Sequence, residues 1–313
     1  MKPKFENSFL VCFSFIALFL ICIPSTVQEA AGAGLSGPFQ VSGVGSEAQG
    51  AGIAFVNLDS NSRPEIVLMA YDNTYGTKYF RYKIGWNVST SGVASSWSPV
   101  YQVASVGSEA RGAGIAIVNL DSNPRPEMIL MSYNDASGTK VFRYKIGWNV
   151  STSGVASSWS PVYQVAGVGS DAQGAGIAIA NLDSNPLPDM ILMAENSPLG
   201  GGLFRYKIGW NVNTSGVASS LSPMYQGGLG SDAQTQGADL AIYDINGDGK
   251  QDMVLMAYDN PVGLNYFRYM ILWDFMSMTS PPSGFTTILK TPTDSTTGAA
   301  ADLYIIEPPA YSQ

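Results

Sequence analysis

The segment Asp244-Ile245-Asn246-Gly247-Asp248-Gly249-Lys250-Gln251-Asp252 carries oxygen side chains at its first, third, fifth and ninth positions and glycine at its sixth. Alternate residues of a tight turn converge on one point. A hard divalent cation takes about six to eight oxygens, so this is the spacing of a calcium loop. Asp244, Asn246, Asp248 and Asp252 are the candidate side-chain ligands, the Lys250 carbonyl is another, and Gly249 permits the sharp bend. The ninth residue opens the next apolar stretch instead of lying on a helix at a twelfth position, which sets the loop apart from an EF-hand.

The same places are filled three more times: Asn57, Asp59, Asn61 and Glu65; Asn119, Asp121, Asn123 and Glu127; Asn181, Asp183, Asn185 and Asp189. Oxygens are kept, but each set has two carboxylates instead of three, and the sixth position becomes Ser62, Pro124 or Pro186. Ligand charge and loop geometry tune calcium affinity, so the fourth loop is expected to bind tightest. Asn, Asp, Ser and Pro also make good turns without any ion.

These loops lie within an internal repeat. Residues 41–102, 103–164 and 165–226 are copies of one 62-residue unit; the first two differ at 13 positions, and 80–102 recurs unchanged as 142–164. A diverged fourth copy occupies 227–290, followed by a tail at 291–313. Each unit reads as short strands. In the first copy these are Gly52-Ile53-Ala54-Phe55-Val56, then Ile66-Val67-Leu68-Met69-Ala70-Tyr71, then residues 79–86, where Phe80, Tyr82, Ile84 and Trp86 share one face. A last strand at 98–102 carries Pro99 near its start, as suits an edge.

Four strands per tandem unit, with apolar runs wide enough to be covered on both faces, predict an all-β propeller of four-stranded blades. The four full repeats lie within residues 34–313. Residues 36–41 echo a unit's last strand and 298–306 its first, so the two termini are expected to build a partial fifth blade, or else to pair with a second chain through open strand edges.

Composition narrows the function classes. The chain has 313 residues, 45% hydrophobic and 13% charged, so it is not a mainly disordered chain. A formal net charge of -8 argues against a nucleic-acid partner. With no histidine, every imidazole metal site and every His-dependent catalytic triad is excluded. Lys2, Lys4, the apolar run 9–23 and the small residues Ala31-Gly32-Ala33 read as a secretory signal peptide over residues 1–33. Cleavage would remove both cysteines, Cys12 and Cys22, and leave a secreted, extracellular protein with no membrane-inserted segment.

Repeats of this length carrying Asp244-x-Asn246-x-Asp248-Gly249-x-x-Asp252 between two apolar strands resemble the FG-GAP/VCBS repeats of the integrin α N-terminal propeller and related secreted lectins. The resemblance covers residues of about 41–290. It implies Ca2+ that stiffens each blade, and recognition of a glycan or an extracellular protein at a propeller face. The expectation is a non-enzymatic binding or adhesion module, lectin-like. The alternatives are a structural repeat protein without a small ligand, or a carbohydrate-active hydrolase or lyase.

Three further sets recur. Trp86, Trp148, Trp210 and Trp273 close the third strand, and Trp97 and Trp159 precede the fourth; packing between blades is the favoured reading over sugar stacking. Arg81, Arg143, Arg205 and Arg268 read as solvated or inter-strand cations. Asn87-Val88-Ser89, Asn149-Val150-Ser151 and Asn213-Thr214-Ser215 are glycosylation sequons.

Overall fold

The computed structural model describes residues 10–14, 16–21, 41, 48–72, 79–104, 106, 110–134, 140–168, 172–183, 185–196, 202–230, 235–259, 266–275, 289–292 and 301–305. The segment 36–40 and the expected cleavage site at 31–33 lie outside them.

Two strands, β1 (Leu10–Ser14) and β2 (Ile16–Ile21), come first. The first blade holds β3 (Ala48–Val56), β4 (Glu65–Asp72), β5 (Tyr79–Trp86), β6 (Ser96–Trp97) and β7 (Tyr101–Ala104). The second repeats this as β8 (Ala110–Val118), β9 (Glu127–Asn134), β10 (Val141–Trp148), β11 (Ser158–Trp159) and β12 (Tyr163–Ala166). The third is β13 (Ala172–Ala180), β14 (Asp189–Asn196), β15 (Gly202–Val212), β16 (Ala218–Leu221) and β17 (Tyr225–Gly230). The fourth is β18 (Thr235–Tyr243), β19 (Asp252–Asp259), β20 (Tyr266–Leu272) and β21 (Leu289–Pro292), and β22 (Ala301–Ile305) ends the series. Each unit is an antiparallel sheet in chain order, and the four form a β-propeller, as the repeat pattern predicts.

In each of the first three blades the outermost strand is broken in two, and both pieces pair with the third strand. Pro99 has no N–H to give to the ladder. Ser98 bridges the break: its amide donates to the Ile84 carbonyl at 2.8 Å, and its hydroxyl accepts from the Ile84 amide at 2.9 Å. Ser160 and Ser222 repeat both bonds with Ile146 and Ile208.

The core lies between blades, which is why the second strands are apolar on both faces. Met128 and Leu130 of β9 join Val67, Met69, Tyr71 and Phe80 in the seam with the first blade. Ile129, Met131 and Tyr133 of the same strand face the third blade. All five β9 residues are fully buried, and each such side chain contributes about 1.5–3 kcal/mol. Burial in the seams is therefore a large stabilising contribution. Near the axis, consecutive inner strands approach so closely that a Cβ on Gly50 would lie 2.5 Å from the Ala113 amide nitrogen.

The C-terminal strand β22 packs against both β18 and β3, between the last blade and the first. Its sheet partner is β2, in parallel, with β1 beyond it. The tail thus lies where a fifth inner strand belongs. Its described partners come from the apolar run 10–21.

Candidate functional site

All four candidate loops leave the first strand of a blade and deliver their ninth residue to the first position of the second strand. The first three share one internal geometry. Asn57 Oδ1 accepts from the Ser60 amide at 2.8 Å, while its Nδ2 donates to the Asn61 backbone carbonyl. Asp59 Oδ1 accepts from the Asn61 amide at 3.1 Å, and Asn61 Oδ1 from the Arg63 amide at 2.9 Å. Asn119, Asp121 and Asn123 repeat these bonds with Ser122, Asn123 and Arg125. In the third loop Asn181 Nδ2 donates to the Asn185 carbonyl at 2.7 Å, and Asp183 and Asn185 accept from the Asn185 and Leu187 amides. In each, the first-position amide group is a strut across the turn, donating to the backbone carbonyl of the loop's fifth residue.

The fourth loop is built differently because Asp244 has no N–H to give. Its Oδ1 accepts from the amides of Gly247 at 2.7 Å and Asp248 at 3.1 Å, and its Oδ2 from Gly249 at 2.8 Å. Asn246 Oδ1 accepts from the Asp248 amide at 3.0 Å, and Asp248 Oδ1 from the Lys250 amide at 2.9 Å. Gly249 takes φ of 84°, a left-handed value that Pro124 and Pro186 at the same place cannot adopt. The Lys250 amide and the neighbouring polar groups hold the Asp248 carboxyl below the usual carboxylate range. The Lys250 ammonium reaches Asp274 Oδ2 at 2.8 Å and lies 4.0 Å from Asp248 Oδ2.

The ninth-position carboxylates stand apart from the rest. Glu65, Glu127, Asp189 and Asp252 are each fully buried, although all four loops are at the surface. Each accepts from the amide of its loop's second residue: Leu58, Leu120, Leu182 or Ile245, at 2.7–2.9 Å. In the second, third and fourth blades the other oxygen accepts from the residue after the third-strand tryptophan, namely Asn149 at 3.3 Å, Asn211 at 2.8 Å and Asp274 at 2.8 Å. The carboxylate is therefore a brace tying the loop to the turn that follows the third strand. Burial raises the pKa of Glu65, Glu127 and Asp189, and the amide hydrogen bonds work against that rise.

Of the turn residues completing this brace, Asn87 and Asn149 were read from sequence only as glycosylation sequons, and Asn211 and Asp274 were not singled out. Asn87, Asn149, Asn211 and Asp274 have φ of 49–53°, the left-handed region that Asn and Asp tolerate best. The recurring Trp-Asn or Trp-Asp pair at the third strand's end is the signal that would have found them.

Among the described residues no three His, Cys, Asp or Glu side chains gather as a metal cluster. The fourth loop nevertheless offers the half-buried Asp244 carboxylate and the exposed Asn246 and Asp248 oxygens, with lone pairs left over from the amide bonds and the Lys250 ammonium 4.0 Å from Asp248. That donor set fits calcium better than the amide-strutted loops do.

Four of the six recurrent tryptophans pack in the seams, whereas the Trp97 ring lies 5.9 Å from the Lys83 ammonium and Trp273 is 37% exposed. Trp86 and Trp159 pack in the first seam, Trp148 in the second and Trp210 in the third, as expected of inter-blade packing. Arg143 and Arg205 donate to the carbonyls of Val106 and Val168, in the connections between blades, at 3.2 and 3.3 Å. Among the described residues no helix is long and apolar enough to cross a membrane. In comparisons with protein-family models, curated proteins and solved structures, nothing matches the chain.

Proposed function

We propose that this chain is a secreted, calcium-binding propeller of the FG-GAP/VCBS kind, acting as a non-enzymatic binding or adhesion module for glycans. The observation that carries the reading is the fourth loop. Its Asp244, Asn246 and Asp248 oxygens crowd one turn around two left-handed glycines, with the Asp252 carboxylate anchoring its base. Bound calcium would stiffen the link between the first and second strands of that blade. The near-identical blades would then present like surfaces in parallel, so that weak contacts add through avidity.

A second reading, a structural extracellular repeat protein with no small ligand, draws on the amide struts of Asn57, Asn119 and Asn181, which close three of the four loops without an ion. A glycan-array screen of the purified chain, with calcium and with chelator, separates the two. Specific binding lost on chelation supports the lectin-like reading; no binding in either condition supports the structural one. Turnover of an arrayed oligosaccharide would instead make the protein an enzyme.

A further inference from the structure

Asn246-Gly247 is the only Asn-Gly pair in the chain. An asparagine side chain is an amide, and the backbone nitrogen of the next residue can attack its carbonyl carbon to close a cyclic imide. Glycine at that next place has no Cβ to crowd the approach.

The fourth loop presents the pair. Asn246 and Gly247 are both exposed, and a Cβ on Gly247 would meet nothing within 4 Å. The Asn246 side chain is folded forward along the chain, because its Oδ1 accepts from the Asp248 amide at 3.0 Å. That fold keeps Cγ on the side of the Gly247 nitrogen, and the N–H accepted by Oδ1 draws electron density from the carbon to be attacked. The Gly247 amide donates to Asp244 Oδ1 at 2.7 Å, so the proton that must be lost already faces a carboxylate. This hydrogen bond lies in the peptide plane and leaves the nitrogen's attacking electron pair, which stands out of that plane, uncovered.

Asparagines elsewhere lack this combination. Asn57, Asn119 and Asn181 precede Leu58, Leu120 and Leu182, whose amides are committed to buried carboxylates. Asn123 and Asn185 precede prolines, which have no N–H to lose. Asn87 and Asn149 precede the buried Val88 and Val150, whose amides donate to the Pro64 and Pro126 carbonyls. At the place of Asn246 the first three loops hold Asp59, Asp121 and Asp183, each followed by serine.

We propose that Asn246 is a site of self-modification, converting to aspartate and isoaspartate through a cyclic imide with Gly247. The Gly247 nitrogen bonds to Asn246 Cγ as the Cγ–Nδ2 bond breaks. The proton from Gly247 passes by way of Asp244 and solvent to the departing nitrogen, which leaves as ammonia. Water then opens the ring. Cleavage of the new N–Cγ bond gives aspartate; cleavage of the original peptide bond gives isoaspartate, whose main chain runs through Cβ and Cγ. Aspartate is the residue type the other three loops hold here, so the turn keeps its shape. Isoaspartate lengthens the main chain by one carbon and breaks the spacing of Asp244, Asp248 and Asp252. One consequence rests on the calcium reading proposed above: ion and reaction compete for the Asp244 and Asn246 oxygens, so a filled loop converts more slowly.

Peptide mapping by mass spectrometry tests this on the purified full chain held in mildly alkaline, calcium-free buffer. The expected result is a one-dalton gain in the peptide carrying residue 246, as OH replaces NH2, with isoaspartate detected there by enzymatic methyl labelling and with Asn57, Asn87, Asn149 and Asn213 intact. Gly247→Ser installs the residue that stands at the same place as Ser60 and Ser122, at φ of 64° and 67°, so the turn is retained, and conversion should slow at least about tenfold. Asp244→Asn, with circular dichroism like the parent's, should also slow it at least about tenfold. An Asn246 that stays intact while a synthetic peptide of residues 240–254 converts would overturn the proposal, as would equal rates in the parent and Asp244→Asn. Added calcium should slow the parent; a rate indifferent to calcium would count against the calcium reading and leave the modification standing.

Discussion

Tyr82 donates its phenolic hydrogen to the carbonyl oxygen of Gly154, 3.0 Å away and 72 residues along the chain. Tyr144 makes the same bond to Gly216. Desolvation, with some help from Tyr163, pushes the Tyr144 hydroxyl up to about 12, so it stays a donor at any physiological pH. These bonds lock the outer parts of neighbouring blades together, while inner strands and apolar seams hold the rest.

Removing one such hydroxyl leaves a buried carbonyl without its partner. Tyr82→Phe and Tyr144→Phe should each lower unfolding free energy by about 1–2 kcal/mol, and the double variant by nearly the sum, since the bonds lie in different seams. Urea unfolding checks this; a loss of less than about 0.3 kcal/mol in both single variants would count against the lock.

Gly92 and Gly154 share a backbone conformation but differ in what faces them. Gly92→Ala should cost only the conformational penalty of about 1 kcal/mol. Gly154→Ala adds an overlap with Ile84 and should cost about 1–3 kcal/mol more. Equal losses would mean that the overlap is relieved at no expense.

The fourth loop should be the tightest calcium site. Calorimetric titration of the parent chain should detect it, and Asp248→Ala should abolish it. At calcium about 100-fold above the dissociation constant the ion adds about 2.7 kcal/mol, so chelation should lower the melting temperature by several degrees. The paired change Asn119→Asp with Pro124→Gly supplies the second loop with the missing carboxylate and glycine, and should create a new site. An unchanged number and affinity of sites in Asp248→Ala would refute the assignment.

The raised pKa values of Glu65, Glu127 and Asp189 carry a definite sign. The folded chain keeps these protons to a higher pH than the unfolded chain does. Their effect on stability is therefore unfavourable as pH climbs from the ordinary values of 4.5 and 3.8 through the raised ones, and is fully developed above them. In calcium-free buffer, melting curves between about pH 4 and 7 should show the parent losing ground relative to Glu65→Gln/Glu127→Gln/Asp189→Asn as pH rises. A difference that is flat or runs the other way would show that the amide hydrogen bonds outweigh burial.

Much of the architecture was legible because it rests on periodicity. The strand at 79–86 falls where alternation of Phe80, Tyr82, Ile84 and Trp86 puts it, and the two-faced run around Met69 announces a sheet covered on both sides. The break at Ser98 was not legible, since it depends on a hydroxyl replacing a carbonyl opposite Ile84. Nor was the inward turn of Glu65, Glu127, Asp189 and Asp252. Spacing shows that an oxygen is present, but not whether it points at an ion or at the amides of Leu58, Leu120, Leu182 and Ile245. The arginines were hard to place for a similar reason, because their acceptors are carbonyls in connections 37 residues away.

The contact that the loop 151–155 makes with Tyr82 and Ile84 of the preceding blade has a genetic consequence. Any of the first three copies can follow another without a new surface having to arise, because the face that 142–164 offers to the third unit is identical to that of 80–102. Unequal crossing-over between such stretches would excise or insert a whole cassette in frame with its seams intact. Alleles of this gene should therefore vary in length by multiples of 62 codons more readily than they vary in the residues at the joints.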